Sequence, residues 1–540
     1  MGSNVNAGVA LKKDAKWFAA WVCLILALTA LPYLYAWVTT PAGMKFGGLL
    51  SNPLDGNTYL AKMAQGAAGH WLFGLPYTSE PHPAGFLNPY FLLLGHVADW
   101  LGVSLPLMFH LARLMNGALC LVVGYFLAAW LFTDQYTRRL AWLFIFLASG
   151  LGWLFALFGH LTPDLLVPEA IPFYSIYTNP HFPLGLSGLM ALLVLILAPL
   201  DGSTARRPGI WTSAGAALAA VIIALTQAFL FLVAGIVIVV VLGLRWQRNR
   251  HFPMSEVCRC ALAAAVALPI VIPQILTLTT EPAFRAHAAQ DVNLSPPLWD
   301  YGISFAVLLP LAVVGAIHAG RRRSEADLFL LVWAVVNLLL AYAPLSIQRR
   351  LIMGAQVPLA LLAAAGFAQV TRGLRSVGAV NRLRAGLLAL SVLTNLLLLG
   401  LGVSAATRRD VWIYLLPGES EALSWLKTQP AHGAVVALPR TAMFIPGWTG
   451  QRVYYGHPME TLDAQRKRME VETLYTQSWG ADHPPPILLR SDVSWLWVGP
   501  YERQFMPAST LQLLESWEPA YDRAGVTIYL TRHWRTPASP

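Results

Sequence analysis

Asp55 is the residue best placed for chemistry in this 540-residue chain. It lies in Asn52-Pro53-Leu54-Asp55-Gly56-Asn57-Thr58-Tyr59, just beyond a first hydrophobic stretch over 17–38. A carboxylate held in a Gly- and Pro-containing loop at a membrane face can accept a proton from a substrate or bind a divalent ion; the same residue type is common in ordinary loops. Chemistry of opposite sign is offered by Gln348-Arg349-Arg350 and by Arg113. Planar guanidinium donors suit a phosphate better than lysine does, although arginines at the end of a span also snorkel to lipid headgroups. No Gly-Lys of a phosphate loop and no His-Glu-x-x-His occurs. Ser424-Trp425-Leu426-Lys427 has a Ser-x-x-Lys spacing without a following Lys-Thr-Gly, so it reads as a chance match.

The elements that position these residues are mostly membrane spans. Of all residues 56% are hydrophobic and only 12% charged, about half the charged share of a soluble domain. The net charge of +10 is accounted for by basic cytoplasmic loops and calls for no nucleic acid. A crossing takes roughly 20 apolar residues. About eleven segments qualify, near 17–38, 106–132, 140–160, 183–200, 210–226, 228–244, 256–276, 298–318, 327–343, 351–370 and 385–405. The apolar run 210–244 is too long for one crossing and is split at Thr226-Gln227. One set of alternate connections holds Arg138, Arg139, Arg206, Arg207, Arg245, Arg248, Arg250, Arg321 to Arg323, Arg372, Arg375, Arg382 and Arg384. The other, longer set holds few cations, so the N-terminus is placed in the cytoplasm and everything after 405 outside. Arg113, Arg349 and Arg350 break this asymmetry, and such exceptions tend to have a purpose. The four cysteines lie in or beside apolar segments and imply no disulfide framework.

The expected organisation is therefore a membrane domain over 1–406 and a soluble domain over 407–540. The first outer loop, 39–105, carries Asp55, a helical stretch from Tyr59 to His70, a Pro-rich passage, and an apolar segment over 91–101 read as an interfacial helix. Further outer loops cover 161–182 and 277–297. After 408 the pattern predicts helices over 419–427 and 460–475 and strands over 433–439, 486–489, 494–498 and 525–530. That alternation implies a small extracytoplasmic α/β domain.

Asp55 and Tyr59, the helix leading to Trp71-Leu72-Phe73-Gly74, the Pro-rich stretch ending in Asn88-Pro89-Tyr90, and Arg113-x-x-Asn116 form a recognisable series. It resembles the first loop of the GT-C superfamily of integral membrane glycosyltransferases, closest to bacterial relatives of the protein mannosyltransferases and the lipid A aminoarabinose transferases. The resemblance covers about 120 residues, and the many spans with an outer α/β tail agree with it. It implies a sugar donor carried on polyprenyl phosphate, an acceptor that is a lipid, glycan or protein, and a first-loop acid beside the acceptor as general base or metal ligand. On this chain that acid is Asp55. Mannosyltransferase-like members show two adjacent acids, where this chain has Asp55-Gly56.

Other residues take roles consistent with that chemistry. Glu169, in Val167-Pro168-Glu169-Ala170-Ile171-Pro172, binds sugar hydroxyls, shares a divalent metal (Mg or Mn) with Asp55, or is a solvated loop acid. His181 bonds a phosphate or hydroxyl, or lies beside a helix cap made by Asn179. Tyr59, His82 and Arg113 complete the substrate-binding set with Gln348, Arg349 and Arg350. In the tail, His457 and Glu460 of Gly456-His457-Pro458-Met459-Glu460-Thr461 either pack against the loops or bind acceptor, with capping by Thr461 or Pro458 as the plainer account. Inversion needs a carboxylate on the acceptor side and cationic stabilisation of the leaving phosphate. The sequence thus reads as a glycosyltransferase of the plasma (inner) membrane. A lipid or solute transporter would place polar residues at span midplanes, and a catalytically inactive scaffold would keep the fold without Asp55 chemistry.

Overall fold

The computed structural model describes residues 7–197, 209–431 and 433–534. Arg206 and Arg207, assigned above to a cytoplasmic loop, and the end of the 183–200 segment lie outside the described residues. Among the described residues, seven helices are long and apolar enough to cross a membrane, and an eighth crossing follows if the bent pair Leu298–Ser304 and Leu309–Arg322 is one span. The pair turns through 97° at its break. Shorter apolar helices, His181–Leu197 and Ile210–Thr226, fall where two further crossings are expected.

The chain forms two compact units. The first comprises the described parts of 1–31, 111–272 and 292–401; the second comprises 32–110, 273–291 and the described parts of 402–540. Hydropathy divides the chain at 406, but compactness does not. The first outer loop and the 273–291 segment pack with the tail.

In the first unit, buried polar side chains repair broken helices. The helix Gln135–Leu147 ends before a short extended stretch at Ala148, which strands its last carbonyls. Gln356 donates from Nε2 to the carbonyls of Phe144, Ile145 and Ala148, and Asn395 donates to that of Leu147 at 2.8 Å. Asn337 does the same for Leu351 and Met353. An unbonded carbonyl in an apolar medium costs several kcal/mol, on the order of 2–7, so these amides are structural. Close packing is set by glycine. A Cβ on Gly315 would lie 2.0 Å from the Leu362 carbonyl oxygen, and one on Gly366 1.9 Å from that of Leu311, which brings Leu309–Arg322 and Gln356–Thr371 into backbone contact.

The second unit contains a ribbon of β1 (Lys45–Phe46) against β2 (Tyr414–Leu415) and a four-stranded sheet. That sheet joins β3 (Ala434–Val436), β4 (Val493–Val498), β5 (Tyr521–Arg523) and β6 (Val526–Leu530) in the order β3-β4-β6-β5. The pair β3·β4 is parallel and the others are antiparallel. Residues 486–489, expected as a strand, form a helical turn instead, and β5 is an unexpected edge strand. Pro485 and Pro486 begin that turn and fit an N-terminal helical position better than a ladder. First-loop residues Ala61 and Tyr77 belong to the same buried cluster as Val435, Trp495, Trp497 and Ile528. The first loop is thus part of the tail's core, which explains why it follows the tail and not the spans.

Candidate active site

Asp55 sits in the first turn of the helix Pro53–Ala67. Asn52 caps that helix in a left-handed conformation (φ 46°), which Asn tolerates better than most residues, and Pro53 supplies the fixed φ that suits the first helical position. The Asn52 side chain accepts from the Asp55 N–H at 3.3 Å and donates from Nδ2 to Asp55 Oδ2 at 2.5 Å. Helix N-termini favour a negative charge. The helix is backed by Pro89–Leu101 at very short range: a Cβ on Gly66 would lie 2.0 Å from the Leu92 carbonyl oxygen, and one on Gly95 2.0 Å from that of Met63. Position 56 has a similar restriction. A Cβ on Gly56 would come within 2.6 Å of Leu49 Cδ1, so a larger residue at 56 requires the Leu49 side chain to shift.

The partner of Asp55 comes from the tail. His457 meets Asp55 Oδ1 through Nε2 at 2.8 Å; the His457 side chain is 4% exposed and that of Asp55 47%. Partial loss of hydration pushes the Asp55 pKa up, but the hydrogen bonds from His457 and Asn52 outweigh it and hold the carboxyl below its ordinary value. Two turns along the same helix, Lys62 pairs with Glu460 at 2.6 Å. Burial raises the Glu460 pKa, yet the charges of Lys62 and His287 bring it down to about 2. Thr461 Oγ1 donates to the Tyr77 carbonyl at 2.7 Å. Buried Lys467 reaches Thr78 Oγ1 at 3.0 Å and Glu80 Oε2 at 2.6 Å. His287 and Gln290 hold the Met459 carbonyl from the 273–291 segment. The Gly456–Thr461 passage is therefore a clasp over the Asp55 helix, where capping had been the plainer expectation.

The remaining expected residues of this unit are held by the loop itself. Tyr59 stacks on Phe91 with ring centroids 4.4 Å apart. His82 accepts the Leu75 N–H at Nε2 (2.8 Å) and faces the Glu80 carbonyl through Nδ1 (2.8 Å), so both ring nitrogens staple the Pro-rich passage.

In the first unit, Glu169 lies on the 3₁₀ turn Pro168–Ala170, which packs against the 3₁₀ turn Gln348–Ile352 carrying Arg349 and Arg350. Tyr301 is within electrostatic reach of both Arg349 and Glu169. Arg349 donates from Nη2 to Asn293 Oδ1 at 2.8 Å. With its amide oriented to satisfy both ends, Gln348 bridges the Ala343 carbonyl and the Ser295 N–H. Arg113 is 1% exposed and does not snorkel: it donates to the Ile176 carbonyl at 2.9 Å, while Asn116, one turn on, donates to that of Pro180. Together they fix the approach to His181, the buried first residue of the helix His181–Leu197.

Among the described residues no three His, Cys, Asp or Glu side chains are grouped to hold a metal. Asp55 is held by one Asn and one His side chain, and no step below runs through the divalent ion considered for Asp55 and Glu169.

No protein-family model matches the sequence, and no curated protein matches it. Solved structures do. ArnT from Cupriavidus metallidurans bound to undecaprenyl phosphate superposes with a TM-score of 0.52 at 11% identity, over 96% of this chain and 99% of that one. An Archaeoglobus fulgidus oligosaccharyltransferase tethered with an acceptor peptide gives 0.51 at 14% identity, over 98% and 75%. The mycobacterial arabinofuranosyltransferase AftD gives 0.53 at 15% identity, over 96% of this chain and 40% of its own. All three are membrane glycosyltransferases of the GT-C superfamily. This protein has the GT-C fold. In this chain Asp55 of the first loop is bonded by His457 of the tail.

Of the residues that govern Asp55, His457 and Glu460 were read in the sequence as packing against the loops or binding acceptor, with no link to Asp55, and Lys62 was given no role. The local signal was the Asn52-x-x-Asp55 spacing, a helix-start pattern. A contact across 402 positions leaves no mark in a single sequence.

Proposed function

We propose that the protein transfers a sugar from a polyprenyl-phosphate carrier to an acceptor at the outer face of the plasma membrane. Asp55 takes the proton of the acceptor O–H or N–H as the acceptor atom bonds to the anomeric carbon. The bond from that carbon to the carrier phosphate breaks with its electron pair, and polyprenyl phosphate leaves. Arg349 and Arg350 take the phosphate, and Glu169 orients sugar hydroxyls beside them. His181, Tyr59 and Arg113 support the site as positioning or contact residues, and His82 and Gln348 hold its loops. About eleven crossings place the N-terminus in the cytoplasm and the tail outside, as the basic loops require.

The observation that carries this reading is the state of Asp55: an exposed-side carboxylate, held below its ordinary pKa by fixed donors, on a loop of GT-C pattern. Binding of undecaprenyl phosphate by ArnT and of an acceptor peptide by the oligosaccharyltransferase supports the donor and acceptor classes. Gln356, Asn395 and Asn337, buried amides that a transporter reading would use, serve helix backbones. Membrane fractions containing the protein, and with it lipid, glycan and protein acceptors, should consume one of undecaprenyl-phosphate-linked aminoarabinose, mannose and arabinofuranose and release undecaprenyl phosphate, and those with Asp55→Ala should not.

A further inference from the structure

On the transfer reading above, Asp55 must meet the acceptor as an anion with a lone pair free, and its surroundings decide whether it does. We infer, resting on that reading, that His457 is the positioning residue of Asp55, locked as the Nε2–H tautomer so that it donates to the carboxylate and never receives the acceptor's proton.

The lock is made by backbone. His457 Nδ1 accepts the N–H of Met459 at 3.1 Å and of Glu460 at 3.2 Å. A ring nitrogen that accepts N–H groups carries no proton, so the single proton lies on Nε2, 2.8 Å from Asp55 Oδ1. The turn that presents those N–H groups is itself held: Thr461 N–H bonds the His457 carbonyl at 3.0 Å, Thr461 Oγ1 bonds the Tyr77 carbonyl, and Glu460 is anchored by Lys62. The Tyr77 ring stands 6.1 Å from the imidazole, and a Cβ on Gly456 would strike that ring at 2.7 Å.

The assignment rests on the two Nδ1 bonds, since the surrounding charges do not all favour it. Asn52 donates to Asp55 Oδ2. The negative charge of Glu460 opposes the Asp55 anion, and Lys62 and His287 face Glu460 in turn. A second proton on His457 would have to break both Nδ1 bonds. The proton taken from the acceptor therefore stays on the Asp55 carboxylate and leaves to solvent through its exposed side. Asp55 acts as a single-residue base with a fixed donor, and not as one end of a relay. The tail thereby controls the base from 402 positions away.

The test uses the full-length protein in nanodiscs, with an extract of the membrane fraction as the source of acceptor. His457→Leu removes the donor; His457→Gln keeps an N–H near the Nε2 position. With whichever of the three undecaprenyl-phosphate sugars is turned over, His457→Leu should lower kcat by about 10–100-fold. It should also move the acid limb of the kcat/KM profile up by about one pH unit. His457→Gln should leave that limb in place. Independently of any variant's folding or turnover, ¹⁵N-histidine spectra of the wild type should give the neutral Nε2–H pattern for His457. An unmoved acid limb in His457→Leu, or a doubly protonated or Nδ1–H His457 at neutral pH, overturns the inference. If Asp55→Ala transfers sugar normally, the transfer reading itself falls, while the spectra still report the tautomer.

Discussion

Lys62 and Glu460, 398 positions apart, form an ion pair of 2.6 Å with side chains only 5% and 11% exposed. Such a pair is weak as a source of net stability but costly to break from one side, about 3–5 kcal/mol for an uncompensated buried charge. Lys62→Met should lower the thermal midpoint of the purified protein accordingly, and Lys62→Met with Glu460→Leu should recover most of the loss. The Glu460 pKa is depressed from an ordinary 4.5 to about 2. Its contribution is present above the ordinary value and is lost as pH falls through that window. Wild-type stability scanned from pH 5 down should fall more steeply than that of the double variant.

The backing of the Asp55 helix gives a second prediction. Gly95→Ala places a methyl 2.0 Å from the Met63 carbonyl oxygen, so the helices must separate. We expect about 1–3 kcal/mol of destabilisation with a larger relative loss of transfer, measured by parallel thermal scans and turnover. Gly102→Ala, where a Cβ meets nothing within 4 Å but φ is +65°, should cost stability without the extra loss of transfer.

The membrane character and many apolar helices were legible in sequence, because length and apolar content are additive signals that need no knowledge of contacts. Asp55 was legible because its place after the first apolar stretch is local, but the helix expected from Tyr59 begins at Pro53 and carries Asp55 in its first turn. The bend at Ser304 and the breaks near Ala148 were not, since hydrophobicity does not report where a helix stops inside a membrane. Nor was the union of the first loop with the tail core through Ala61 and Tyr77, because apolar residues in both segments look alike until they meet. His457 was visible as a residue that packs against the loops or binds acceptor, but its partner Asp55 was not.

The tail core contains a second acid with a pH signature. Glu502 is buried, accepts the Gly499 N–H at 3.1 Å, and is pushed up to about 7 by burial with the nearby Glu419 charge. A raised acid contributes stability fully below its ordinary value of 4.5, and that contribution is lost as pH rises toward 7. Glu502→Gln should therefore be more stable than wild type at pH 8, by on the order of 3 kcal/mol, and show no such advantage at pH 4. Chemical denaturation at the two pH values decides this.

Arg349 tests the phosphate assignment. Hydrogen bonds to charged groups are worth about 1.5–3 kcal/mol, so Arg349→Ala should raise the Kd for undecaprenyl phosphate roughly 10–100-fold. Arg349→Lys should fall between, having lost the planar fork. Tight binding by Arg349→Ala would move the phosphate to Arg350 alone.

The measurement that bears most directly on the account is Asp55→Asn, which keeps size and the contact with Asn52 but removes the base. With the three undecaprenyl-phosphate sugars, its kcat should fall by about 10²–10⁴ while its affinity for undecaprenyl phosphate stays within a few-fold of wild type. Transfer by Asp55→Asn at the wild-type rate would contradict the assignment of Asp55 as the base.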